Sequence, residues 1–178
     1  MNRRVKLAAL LVAFVLVIGA TTGIIIAAND SAPSTVEITR KNIAFGEGIN
    51  LAFVIEVTGG RSGNVGLAVW DVNEESDYSI KNVKHLTYTE DYKTTGDLVE
   101  KVAFSHGIAP KDVKTEYVFA AVYCDELTGK ITFGEKLVYS VEDYINEMLA
   151  GETTEAQRNM YDKLLSYSDV ASDVLGAE

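Results

Sequence analysis

Asp71-Val72-Asn73-Glu74-Glu75-Ser76-Asp77 offers oxygen donors at alternate positions. Asp71, Asn73, Glu75 and Asp77 are the four that a Ca²⁺ loop would use, because a hard cation collects carboxylate and amide oxygens from every second residue. Two positions depart from the helix-loop-helix pattern. Ser76 stands where that loop needs glycine, and Asn82 stands where it needs a bidentate glutamate. A Ca²⁺ site and a plain acidic loop tip therefore both remain open, and no other cofactor is expected. The sequence has only two histidines, His85 and His106, and one cysteine, Cys124. They form no i, i+4 pair and no cysteine pair, so the spacing contains no zinc pattern. His106, in Ser105-His106-Gly107, can act as a base only beside a nucleophile, and no Gly-x-Ser-x-Gly elbow accompanies it. It reads as a solvated loop histidine. Two carboxylates about 5–10 Å apart would make a glycosidase, but 26 acidic residues produce such pairs by chance. No catalytic residue is expected. Trp70, Tyr88 and Tyr92 flank the acidic stretch and are the aromatic candidates for stacking a sugar or anchoring a protein partner. Trp70 fits a sheet-core position as well.

These residues need a scaffold, and the hydrophobic period supplies one. In Ile49 to Val57 the apolar residues Ile49, Leu51, Phe53, Ile55 and Val57 alternate with Asn50, Ala52, Val54 and Glu56, which predicts a half-buried strand. After the turn-rich Gly59 to Asn64, alternation resumes from Val65 to Trp70 and suggests a hairpin partner. His85 to Thr89 and Val99 to Ser105 read as further strands, with His106 to Lys111 as a loop. Thr115 to Cys124 is apolar on both faces. Tyr117, Phe119, Ala121 and Tyr123 line one face, and Val118, Ala120, Val122 and Cys124 the other, so a covered central strand is expected. Ile131 to Tyr139 completes about seven strands, a number and spacing that favour an immunoglobulin-like β-sandwich.

At Ser140 the period becomes helical. Ser140 with Asp143 forms a capping pair ahead of Val141, Tyr144, Ile145, Met148 and Leu149, and Gly151 ends the helix. Thr154 and Gln157 cap a second helix whose expected apolar face is Ala156, Met160, Leu164, Tyr167 and Ala171. The fold class is thus mainly β with a C-terminal helical hairpin. The hairpin is a natural lid for one face of the central strand, and Cys124 is expected to sit there as a small buried hydrophobe.

Ahead of this lies an N-terminal apolar helix. Arg3, Arg4 and Lys6 precede Leu7 to Ala28, which carries no charge. Residues 1–28 read as a signal peptide or a transmembrane signal-anchor, with the following chain on the extracellular side, either secreted or held at the plasma membrane. Residues 29–42 read as a linker, 43–139 as the sandwich, and 140–178 as the helical hairpin packed on it. Beyond the leader, 13 bases face 26 acids. That balance argues against nucleic acid or an anionic membrane surface as a partner. The membrane is contacted only through the N-terminal helix, if it is retained.

Several segments in order resemble an uncharacterised β-rich module of surface and secreted proteins from gut and rumen Firmicutes. "NIAFGEGINLAFVIEV" is similar to its opening strand, and "VGLAVWD" to its strand ending in an apolar-Trp pair. "VAFSHGIAPKDVKTEYVFAAVY" is similar to its aromatic strand, loop and following strand, and "LVYSVEDYINEML" and "LLSY" to its two helices. Tyr167-Ser168-Asp169 departs from the Tyr-Gly and small residues usual there. The resemblance implies an extracellular location among adhesive and carbohydrate-active architectures and implies no catalytic residues. Together these readings predict a non-catalytic binding or scaffold protein of the cell surface, recognising protein or glycan. The alternatives are a small secreted hydrolase with a carboxylate pair and a structural subunit of a surface assembly.

Overall fold

The computed structural model describes residues 33, 35–59, 62–72, 77–93 and 100–175, of which 89–93 and 100 by backbone alone. The expected leader, residues 1–28, lies outside them. Among the described residues no helix is long and apolar enough to cross a membrane.

The described chain is mainly β, with eight strands in two antiparallel sheets followed by two helices. The strands are β1 (Thr35–Phe45), β2 (Ile49–Thr58), β3 (Gly63–Asp71), β4 (His85–Lys93), β5 (Glu100–Ile108), β6 (Tyr117–Asp125), β7 (Ile131–Phe133) and β8 (Leu137–Tyr139). The helices are α1 (Val141–Ala150) and α2 (Glu155–Leu175), and a short 3-10 turn spans Pro110–Asp112. One sheet has the order β1-β2-β5. The other has the order β4-β3-β6-β7, with β8 also on β6.

β1 corrects the linker reading, because eight of the residues assigned to the linker, 35–42, are strand. The reason is a bulge between Ile38 and Arg40. It resets the alternation, so that Val36 and Ile38 turn inward before it and Lys41 and Ile43 after it, which hides the period of two. β3 is also not the hairpin partner of β2: it pairs with β4 and β6, so the chain changes sheets after Thr58. The run Ile131 to Tyr139 is two short strands on successive parts of β6, separated at Gly134. At Gly134 the amide donates to the Ala121 carbonyl at 2.9 Å, and a Cβ would collide with the Val36 carbonyl oxygen. Only glycine lets the backbone of β1 come this close.

Both sheets feed one apolar core. Leu51, Phe53, Ile55 and Val57 of β2 meet Val65, Leu67 and Val69 of β3 and Phe119, Ala121 and Tyr123 of β6. The Phe53 and Phe119 rings are 4.5 Å apart. The opposite face of β6 is covered as well, but not by the helices. Val118, Ala120 and Val122 join Ala68 and Trp70 under Tyr78 and Val83, residues of the connection between β3 and β4.

Both helix starts form as their sequences dictate. The Asp143 amide donates to Ser140 Oγ at 3.0 Å while the Ser140 amide donates to Asp143 Oδ2 at 2.8 Å. Thr154 and Gln157 make the same reciprocal pair at 3.3 and 2.9 Å. α1 seals the first core with Tyr144 and Ile145. The Tyr144 hydroxyl donates to Asn42 Oδ1 of β1 at 2.9 Å, and Lys41 pairs with Glu147 at 2.7 Å. In α2 the buried stripe is Tyr161, Ser168 and Ala171 with Leu164 and Leu165 partly covered; of the expected face Ala171 is buried and Leu164 partly so, whereas Ala156, Met160 and Tyr167 are exposed. The helix is rotated toward Tyr161, whose ring buries more apolar surface. This rotation leads Ser172 Oγ to donate to the Lys111 carbonyl at 2.9 Å and Asp169 to pair with Lys114 at 2.6 Å.

Candidate functional site

The chain's two histidines meet where the two sheets part. β5 is an edge of one sheet and β4 an edge of the other. His106 has the same parity as Val102, Phe104 and Ile108, so its ring points into the space between the sheets. His85 has the opposite parity to Leu86 and Tyr88, which join the outer cluster, so it points into that space from the other side. The two ring centroids lie 5.2 Å apart with planes inclined at 50°. Tyr117 and Phe119 stand edge-on to His106 at 5.6 and 5.9 Å and fix its ring. His106 is half-buried, whereas His85 is exposed and leaves the pair open to solvent. The loop reading of His106 is corrected accordingly: the residue is in a strand and faces inward.

Charge around the pair is organised by Lys84 and Asp71. Lys84 Nζ reaches Asp71 Oδ1 at 2.5 Å and lies 5.6 Å from the Tyr117 ring centre. The Asp71 hydrogen bond raises the Lys84 pKa. Burial lowers the His106 pKa below the ordinary histidine value, helped by His85 and Lys84 and opposed by Asp71. Burial raises the Tyr117 pKa, with Asp112 adding to the effect. Burial thus favours the uncharged imidazole of His106.

The residues nominated for binding have other places. Trp70 is 1% exposed, so the reading of this residue as a stacking platform is corrected. Its indole N–H donates to the Ser79 carbonyl at 3.0 Å, and its ring meets Phe133 and Tyr78 edge-on at 5.5 and 6.1 Å. The connection from Asp77 to Lys84 folds over it, held by Ser79 N–H to Asn82 Oδ1 at 2.7 Å and Lys136 Nζ to the Asp77 carbonyl at 3.2 Å. Tyr88 is half-buried in the same outer cluster, and its hydroxyl is buried with no hydrogen-bond partner among the described residues. Burial raises its pKa. The Tyr92 side chain lies outside the described residues.

Of the four residues considered for Ca²⁺, Asn73 and Glu75 also lie outside them. Asp71 is engaged with Lys84, and Asp77 accepts from Asn82 Nδ2 at 3.5 Å. Among the described residues no three His, Cys, Asp or Glu side chains are grouped to hold a metal ion. Cys124 is a free thiol and half-buried rather than fully enclosed, opposite the half-buried Ile131 of β7.

A second surface feature was not legible as such. Met160, Tyr167, Val170 and Val174 follow one another at spacings of seven, three and four along α2. All four are exposed, Tyr167 at 58% and Val174 at 66%. They form an outward stripe beside the buried one, interrupted by Lys163, with Arg158 near its start and Asp169 and Asp173 near its end. Comparison with known families, curated proteins and solved structures finds no match to this chain.

Proposed function

We propose that this protein is a non-catalytic binding or scaffold module of the extracellular side, secreted or held at the membrane by its N-terminal segment. In this reading the two sheets are an immunoglobulin-like sandwich, a reading supported by their shared core. The contact surface is the outward stripe of α2, and the stripe is the observation that carries the proposal. A soluble domain rarely leaves several large apolar side chains exposed along one helix side unless something else covers them. A protein is favoured over a glycan as partner. Trp70, the flat ring best suited to sugar stacking, is enclosed, whereas Met160, Val170 and Val174 suit the apolar face of another helix. The location rests on the basic head and apolar run of residues 1–28 and on the resemblance to a surface-protein module.

The test places a photo-crosslinking phenylalanine derivative at Tyr167, and separately at Lys101, an exposed position on β5, in the full chain within the cells that make it. A discrete adduct with one protein from Tyr167 and none from Lys101 is the expected result. No adduct at Tyr167, or turnover of peptidase, esterase or glycosidase substrates that one Asp, Glu or His replacement abolishes, overturns the reading.

A further inference from the structure

We propose that His85 and His106 form a binding site for a divalent transition-metal ion, Zn²⁺ or Cu²⁺, that clips the free edge of one sheet to the free edge of the other. The argument begins with the separation of the rings. A metal–imidazole nitrogen bond is about 2.0–2.1 Å and the ring centre lies about 1.1 Å further on, so two imidazoles at a tetrahedral angle have centres about 5.2 Å apart. The observed separation of the ring centres is 5.2 Å. The ligand type fits as well, since imidazole suits Zn²⁺ and Cu²⁺ and does not select Mg²⁺ or Ca²⁺.

The surroundings are compatible with added positive charge. Asp71 already neutralises Lys84, the cation beside the pair. Tyr117 and Phe119 hold the His106 ring in place, so little ordering remains to be done on binding. The exposed His85 gives the ion a way in. Two protein ligands are fewer than the three of a catalytic zinc site or the four of a structural one, so water completes the coordination. Binding is then reversible and of moderate strength. It acts by holding together the edge strands of two different sheets, and it stabilises the native state increasingly as metal concentration rises above the dissociation constant.

The experiment uses the purified full chain, stripped with a chelator. ZnCl₂, CuCl₂ and MgCl₂ are titrated separately at neutral pH while the thermal midpoint is followed, and the Cu²⁺ sample is examined by EPR. The expected result is a saturable rise in midpoint with Zn²⁺ or Cu²⁺ and none with Mg²⁺, together with nitrogen hyperfine structure in the copper spectrum. Both should vanish in His85→Asn, a replacement at an exposed position that leaves the fold intact, and in His106→Asn. A flat titration of the parent overturns the proposal. So does a metal-dependent rise, or nitrogen hyperfine structure, that survives in folded His85→Asn.

Discussion

Replacing Ile145 with alanine tests whether the C-terminal helices are part of the domain or merely follow it. Ile145 is 0% exposed and lies in the core that both sheets share. The change removes three methylene-sized groups, each contributing about 0.8 kcal/mol when buried, or about 2.4 kcal/mol in all. The cavity left between α1 and the sheets adds to this, because the surroundings relax only in part, bringing the expected loss to about 3 kcal/mol. For a chain of this size that corresponds to about 6–12 °C in the thermal midpoint. Urea unfolding of parent and variant gives the free energy directly, and Val174→Ala, at an exposed position on α2, serves as the control, with an expected change within about 0.5 kcal/mol. A loss below about 1 kcal/mol for Ile145→Ala would refute the reasoning. So would a chain ending at Tyr139 that unfolds like the parent.

The single tryptophan should report the closed outer cluster: Trp70 emission is expected to be blue-shifted and resistant to acrylamide, and an exposed-type spectrum would contradict the structure. Tyr88→Phe removes a buried hydroxyl that has no partner among the described residues, so stability should be unchanged or slightly higher, and a loss above about 1 kcal/mol would show that the hydroxyl is bonded after all. His106 takes up a proton less readily in the folded chain than in the unfolded one, because its folded pKa is lowered. In the presence of chelator its contribution to stability should be intact above about pH 6.5 and fall as the pH drops toward the lowered folded value, so His106→Asn should lose less stability than the parent over that range in urea titrations. A reporter that is active only outside the cytoplasm, fused after Ala32, should be active; an inactive reporter in a full-length fusion would remove the export assignment.

The parts of the fold legible in sequence were those in which one strand or helix carries its own period. β2 shows a clean alternation, β6 is apolar on both faces, and the capping pairs at Ser140 and Thr154 mark helix starts to the residue. β1 was hidden because its bulge breaks the alternation and its outward residues are those of a polar edge. The sequence sets the orientation of α2 only in part: Leu164 and Ala171 lie on the covered side, but Met160 and Tyr167 are apolar like Tyr161 and Leu165, and packing against the core selects between them. The histidine pair illustrates a deeper limit. Extending β5 to Ile108 would have put His106 in register with Phe104, but the crossing of the chain between sheets, which brings β4 opposite β5, has no local signature. Trp70 was ambiguous for the same reason, since nothing within β3 tells that the connection to β4 folds back over it.

The contacts between β1 and α1 have a consequence for how the domain is made. Asn42 meets Tyr144 across 102 positions of sequence and Lys41 meets Glu147 across 106. During synthesis at about 5–20 residues per second, β1 therefore waits roughly 5–20 s for its last partners to emerge. Until then the core that takes up Val36 and Ile43 lacks Tyr144 and Ile145. β1 can pair with β2 as soon as both have emerged, but the contacts of Lys41 and Asn42 with α1 close only when the helices, made last, are in place.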